Sequence, residues 1–212
     1  MVIPAHVVFA AERARIIIEE ETFRSVNSET GGLLVGRLIE YDGKPVLVIV
    51  AATGPGPRAD RRPLYYGSDQ AYLQRELEAL REEFSEFGVD YVGEWHKHPP
   101  DIPELSRGDV DQARKILGDS DYSLPGNGLL LPLTFLKEEI FEQRCFYLSR
   151  ELSEPLEIAS SDVAQETMGE LLEEVLGIPP EPLKTANFVF HVETSHTPVS
   201  YTHLTLPTKR IV

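Results

Sequence analysis

Residues 93–109 read Gly-Glu-Trp-His-Lys-His-Pro-Pro-Asp-Ile-Pro-Glu-Leu-Ser-Arg-Gly-Asp, and this stretch determines the local fold around it. A strand is predicted over residues 89–98, where valine, tyrosine and tryptophan are concentrated. Pro99 and Pro100 end that strand, because proline has no amide hydrogen for the ladder. After a short loop, Ser106 is a typical N-cap for a helix that runs to about Leu117.

The same stretch predicts a metal site. Side chains alternate along a strand, so His96 and His98 share one face while Lys97 points away. Asp109 lies in the first turn of the helix, which returns a carboxylate to the end of the strand. Two histidines, one aspartate and an open water position are typical of catalytic zinc, so we expect one Zn²⁺ per chain.

Each of these residues also has a plain structural interpretation. Ser106-x-x-Asp109 before apolar residues is a capping box, and a His-x-His pair on a strand is often only packed or exposed. The pair, the aspartate and the helix start all fall within residues 96–109, and this coincidence favours the metal site.

A zinc hydrolase also needs a general base. The candidate is Glu29, in Asn27-Ser28-Glu29-Thr30-Gly31-Gly32, at the junction between a loop and an apolar strand. Gly31 and Gly32 allow close approach of a neighbouring backbone. The pattern alone does not single out Glu29, because the chain has 35 acidic residues.

Two neighbours of the histidines complete the candidate site. Trp95 alternates with them and is expected in the core. Glu94 shares their face, and it is either a hydrogen-bonding partner of the site or an ordinary surface carboxylate.

Two motifs of this chain resemble the JAMM signature of the JAB/MPN metallopeptidases. The first is Glu29-Thr-Gly-Gly-Leu-Leu-Val-Gly, and the second is His96-x-His98-Pro99 followed, after six residues, by Ser106-x-x-Asp109. The resemblance covers residues 3–150. The resemblance implies that His96, His98 and Asp109 are zinc ligands, Glu29 the general base and Ser106 a hydrogen-bond donor to the oxyanion. One departure is Lys97, where many family members have serine or threonine. Because Lys97 points off the metal face, we expect it to change the surroundings and not the ligation.

The resemblance implies a zinc isopeptidase or peptidase, like the prokaryotic JAB-type deubiquitinase-like proteins. The expected substrate is the C-terminus of a ubiquitin-like or sulfur-carrier protein. The alternative is a catalytically silent MPN scaffold for protein–protein interaction, although such members usually lack ligands. A zinc deaminase fits poorly, because it needs a Cys-x-x-Cys pair and the chain has one cysteine.

The order of the other elements predicts an α/β sandwich with a central mixed or antiparallel sheet flanked by helices. The resemblance implies that this sandwich is of the MPN/JAB type. A helix over residues 10–26 precedes a hairpin of residues 33–40 and 45–52. A loop follows over 53–63, then a short strand over 64–66 and a helix from Ser68 or Asp69 to about 87. Residues 128–136 and 140–148 form the last predicted strand pair.

Composition bounds the environment and the partners. The chain has 212 residues, a formal charge of −15 and one cysteine, Cys145, which is expected to be buried. This charge argues against nucleic-acid binding, and no apolar run is long enough for a membrane span. These features, with no secretory signal at the start, predict a cytoplasmic protein, and the oligomeric state is left open. Arg58, Arg61 and Arg62 form a basic cluster that either guides a substrate tail or is merely solvated.

The chain changes character after residue 150, so we expect a metallopeptidase domain over 1–150 and an acidic helical extension over 151–198. The helix of that extension is predicted over about 161–176, and it either covers the sheet or begins a partner-binding extension. Residues 199–204 resemble an in-frame translation of a sequencing-library adapter, so we expect 199–212 to be a non-native tail. His203 is therefore not counted as a ligand, and neither are His191 and His196, which lie shortly before this tail.

Overall fold

The computed structural model describes residues 2–10, 12–41, 43–100, 102–120 and 122–162. Within these ranges, eight strands form one sheet and two form a separate hairpin. The strands of the large sheet are β1 (His6–Phe9), β2 (Thr30–Tyr41), β3 (Lys44–Ala52), β6 (Asp90–Lys97), β7 (Gly128–Lys137), β8 (Ile140–Ser149), β9 (Leu156–Ile158) and β10 (Ser160–Asp162). The hairpin consists of β4 (Asp60–Arg62) and β5 (Tyr65–Gly67).

The large sheet is mixed, in the order β10-β1-β3-β2-β6-β7-β8-β9. The β10–β1, β1–β3 and β6–β7 pairs are parallel, and the other four pairs are antiparallel. This confirms the predicted α/β class with a mixed sheet. At the centre, β6 lies between β2 and β7, so the strand that carries the histidines is held on both edges.

Helices cover both faces of the sheet. On one face, Ala14 and Ile18 of α1 (Glu12–Arg24) pack in an apolar cluster with Trp95. The other face is covered by α2 (Gln70–Glu83) and α3 (Arg107–Gly118), which follows the strand of the two histidines. Leu73, Leu77 and Leu80 recur on one side of α2, and all three are buried in the core.

Several short strands were not predicted from the sequence. β4 lies in the predicted loop over 53–63, and β1 precedes the first helix. Strands of three or four residues are too short to show a periodic pattern, and they form here because a neighbouring strand supplies their hydrogen bonds.

The predicted start of the C-terminal helix was wrong. Residues 160–162 form β10, which pairs in parallel with β1. The open edge of β1 therefore decides their conformation, against the cap-like sequence Ser160-Ser161-Asp162. The rest of that predicted helix, and the tail over 199–212, lie outside the described residues. Among the described helices, none has the length and apolar character needed to cross a membrane.

Candidate metal centre

The orientation of the two histidines depends on an irregularity in β6. Leu34 of β2 pairs with Gly93, but the next residue, Val35, pairs with Tyr91, so Val92 is an extra residue in the ladder. Such a bulge reverses the alternation of side chains on one side of it relative to the other. As a result, residues 94, 96 and 98 face the α2–α3 side while Trp95 packs against α1.

The three predicted ligands come together at the end of β6. The Nε2 atoms of His96 and His98 are 3.0 Å apart, and Asp109 Oδ2 lies 3.4 Å from the first and 3.1 Å from the second. His98 is 5% exposed and His96 14%, whereas Asp109 is 24% exposed at the mouth of the site. These ligand atoms therefore form a compact triangle with one open side.

The triangle fits a tetrahedral metal ion. Ligand atoms bound to zinc at about 2.0–2.1 Å in tetrahedral geometry lie roughly 3.3–3.4 Å from one another. The three observed separations are near this spacing, and the group has the composition and proximity of a metal site. Two imidazoles and one carboxylate suit zinc, although the ligand types alone also allow other divalent transition metals.

Asp109 has the position of a metal ligand and is also part of a capping box, the two interpretations considered from the sequence. Its Oδ2 accepts a hydrogen bond from the Ser106 amide at 2.6 Å, and its own amide donates to Ser106 Oγ at 3.2 Å, which completes a capping box. A carboxylate oxygen has two lone pairs, so capping does not prevent ligation. Burial alone would raise the pKa of Asp109, but hydrogen bonds to His96, His98 and Ser106 outweigh it and lower the pKa well below its ordinary value.

Glu29 lies beside this group. It immediately precedes β2, where Thr30 pairs with Lys97, so its position is next to His98 across the strand pair. Its amide donates to Arg62 O at 2.8 Å, which ties it to the β4–β5 hairpin. Burial raises the pKa of its carboxyl, and the nearby His98 and His96 partly offset that rise. A carboxylate with a raised pKa is suited to accept and return protons.

A cleft of about 660 Å³ opens over these residues. Its floor contains Glu29, His96, His98 and Asp109, and Ser106 stands at its edge. The Ser106 hydroxyl accepts the capping hydrogen bond, and a hydroxyl group also has one hydrogen that it can donate. All five predicted site residues therefore line one cleft.

The side chains around the site clarify three further predictions. Trp95 is in the core as predicted, with no exposed surface and its indole Nε1 donating to Thr53 O at 2.9 Å. Glu94 lies on the cleft face and is half-buried; burial raises the pKa of its carboxyl, and Tyr91 and His96 oppose that rise. Gly31 and Gly32 do permit close approach, since a Cβ on either would collide with a backbone oxygen, of Trp95 and Thr53 respectively.

The basic cluster of three arginines is compensated by carboxylates. Arg58 lies 3.4 Å from Asp69, Arg61 lies 2.7 Å from Glu21, and Arg62 lies 2.6 Å from Asp60. These pairs lower the net positive charge that the hairpin offers to a substrate.

The burial of two charged residues near the site was not predicted from the sequence. Glu21, on α1, is 6% exposed, and its Oε1 accepts from Ser25, Thr30 and Arg61. Lys97 is completely buried. Its position on the strand showed only that it points away from the metal, and no sequence signal revealed its partners.

Comparison with known proteins adds a relative. A CD-NTase/cGAS isopeptidase from Enterobacter hormaechei subsp. hoffmannii (strain UCI 50) is 32% identical over 129 residues, which cover 55% of this chain and 67% of that protein. The chain belongs to the CD-NTase/cGAS isopeptidase family. No family model matches this chain. This chain also resembles the solution structure of protein DSY2949 from Desulfitobacterium hafniense, with a TM-score of 0.50 and 15% sequence identity. The superposition covers 77% of this chain and 97% of that protein, and it shows a similarity of fold alone.

Proposed function

We propose that this protein is a zinc-dependent isopeptidase or peptidase that cleaves the bond at the C-terminus of a ubiquitin-like or sulfur-carrier protein. The observation that carries the proposal is the triangle of His96, His98 and Asp109, with separations of 3.0–3.4 Å, on the floor of the cleft that Glu29 and Ser106 also line. The JAB/MPN fold and the JAMM type of chemistry are part of the proposal.

The isopeptidase relative supports the reaction class. Its name gives CD-NTase/cGAS as the class of protein on which it acts, so a CD-NTase is a second candidate substrate for this chain. An isopeptide joins a carboxyl group to a lysine ε-amino group, and its hydrolysis needs the same groups as that of a peptide bond.

His96, His98 and Asp109 would hold the zinc ion, which supplies Lewis acidity and lowers the pKa of a bound water. The Glu29 carboxylate accepts a proton from the attacking water, whose oxygen forms a bond to the scissile carbonyl carbon. The Ser106 hydroxyl donates a hydrogen bond to the carbonyl oxygen as that oxygen gains negative charge. Glu29 then gives the proton to the leaving nitrogen as the carbon–nitrogen bond breaks.

The walls of the cleft suit an extended chain end. Leu64 and Tyr65 of the hairpin are 78% and 53% exposed on one side, and Ile102 is 43% exposed on another. Exposed apolar side chains beside a polar floor are typical of a ligand-binding cleft. We infer that these side chains contact the apolar parts of the substrate tail while the polar groups reach its last carbonyl.

The full chain, loaded with zinc, tests this proposal with two fluorescent isopeptide conjugates. One carries a ubiquitin-like protein and the other a bacterial CD-NTase, each joined through its C-terminal carboxyl to a lysine in a labelled peptide. Matched linear fusions distinguish peptide from isopeptide cleavage. We expect Glu29→Gln to lower kcat by about 10²–10⁴-fold, since general acid–base catalysis contributes that much, while one zinc per chain is retained.

The Glu86→Gln variant is the matched control, because it makes the same chemical change at an exposed position. We expect it to cleave the conjugates as fast as the wild type does. Zinc binding without cleavage of any conjugate would favour the silent MPN scaffold. Absence of zinc from protein purified and reconstituted with the metal would contradict the metal centre itself.

A further inference from the structure

Lys97 is a fully buried lysine in the middle of the site's supporting structure. It is the last residue of β6 and lies between the two histidines in sequence but on the opposite face, and its exposed fraction is 0%. Lysine is almost never fully buried in proteins unless its charge is paired. A buried ammonium group such as that of Lys97 therefore needs hydrogen-bond acceptors or an opposite charge nearby.

The partners of Lys97 belong to the segment that carries Glu29. The ammonium Nζ donates to Ser28 O at 3.1 Å and to Val26 O at 3.3 Å. Both carbonyls lie between the end of α1 at Arg24 and the start of β2 at Thr30. Glu29 is the residue directly after the second carbonyl, so the lysine holds the chain immediately before the candidate base.

The other side of Glu29 is held separately. Thr30 pairs with Lys97 in the β2–β6 ladder, and its hydroxyl donates to Glu21 at 3.1 Å. The Glu29 amide itself donates to Arg62 O at 2.8 Å. The ladder and Glu21 thus fix the chain after Glu29, whereas the ammonium of Lys97 fixes the two carbonyls before it.

We propose that Lys97 is a positioning residue for Glu29: its ammonium group holds the Val26 and Ser28 carbonyls so that the Glu29 carboxylate stays over the metal triangle. The catalytic part of this inference rests on the proposed function. The structural part does not, because the contacts exist whatever the reaction is.

The geometry separates this role from metal binding. Lys97 and the histidines point to opposite faces of the strand and its extension, so we expect replacement of the lysine to leave the three ligand atoms in place. Lys97→Met keeps an unbranched side chain of similar length but removes all three donors. The two carbonyls then lose their donor at partly buried positions, and the segment before Glu29 is free to adopt other conformations.

Hydrogen exchange on the full chain tests the structural part. We expect Lys97→Met to speed exchange of the Ser28 and Glu29 amides by at least about 10-fold, as local opening would, with the Leu34 and Val35 amides unchanged. Lys137→Met, which removes an exposed lysine, is the matched control. Lys97→Thr provides a second variant that lacks the ammonium, in case the methionine disturbs folding.

Steady-state kinetics on the cleaved conjugate test the catalytic part. With zinc content equal to the wild type, we expect Lys97→Met to lower kcat at least about 10-fold and to leave KM within about 2-fold, because a misplaced base weakens only the transition state. Loss of zinc, or a rise in KM with kcat unchanged, would overturn the positioning role.

The two proposals fail in distinguishable ways. Unchanged exchange at Ser28 and Glu29 in both variants, or a uniform increase across the whole sheet, would overturn the role of Lys97 while wild-type cleavage stood. A wild-type protein that cleaves no conjugate would overturn the proposed function, and the exchange result would still decide whether Lys97 holds the segment.

Discussion

The two faces of β6 support different chemistry, although alternate residues of one short strand supply both. On the cleft face, His96 and His98 are joined by Asp109 from α3, and the group keeps some exposure to solvent. On the other face, Trp95 and Lys97 have no exposed surface, and they bind the backbone of Thr53, Val26 and Ser28.

The difference comes from what covers each face. The cleft face meets the first turn of α3, whose capping residues are polar and leave room for a substrate. The other face meets α1 and the segment after it, which close over the strand and exclude water. We therefore expect substitutions on the cleft face to remove ligands or catalytic groups directly. Substitutions on the other face should act through the packing and the backbone that support them.

Removal of a ligand should give the largest effect on the cleft face. We expect His98→Ala to lose at least about 100-fold in zinc affinity, since replacement of mere supporting partners of zinc ligands costs 10–100-fold. Competition with a chromophoric chelator measures the affinity. A zinc affinity equal to that of the wild type would break the distinction between the two faces.

Trp95→Ala should affect stability and leave metal binding intact. We expect the free energy of unfolding to fall by about 3–5 kcal/mol, because a large buried side chain is removed and a cavity remains. Loss of the indole hydrogen bond to Thr53 O adds to this cost. Urea denaturation gives the stability, and zinc analysis of the folded protein gives the stoichiometry. If the Trp95→Ala variant folded but bound no zinc, the two faces of β6 would not be independent.

Ser106 separates capping from catalysis within the cleft face itself. We expect Ser106→Gly to lower kcat by about 10²–10³-fold, the typical cost of losing one oxyanion donor. Stability should fall by only a few tenths of a kcal/mol, because glycine is tolerated at an N-cap. Thermal unfolding and turnover are measured on the same samples, with Ser106→Thr as the variant that keeps the hydroxyl. Full activity of the Ser106→Gly variant would contradict the role of Ser106 as an oxyanion donor and would support only its role as an N-cap.

Much of the site was predictable because its parts are close in sequence. The strand before Pro99, the cap at Ser106 and the helix after it depend on local preferences, and the structure has all three. The spacing of His96, His98 and Asp109 therefore predicted a cluster that the structure does bring together. Glu29 was suggested by the family resemblance, since it lies far away in the chain and only the pairing of β2 with β6 places it at the cleft.

The sequence by itself determined the period-two alternation over residues 94–98, the capped start of α3 and the residue types of the candidate centre, because these depend on interactions between near neighbours. Only the tertiary structure decided the bulge at Val92, the edge pairing of β10, and the burial of Lys97 against the segment before Glu29. Those features depend on which strand or loop lies alongside, and a backbone carbonyl that accepts a hydrogen bond leaves no mark on the identity of its own residue.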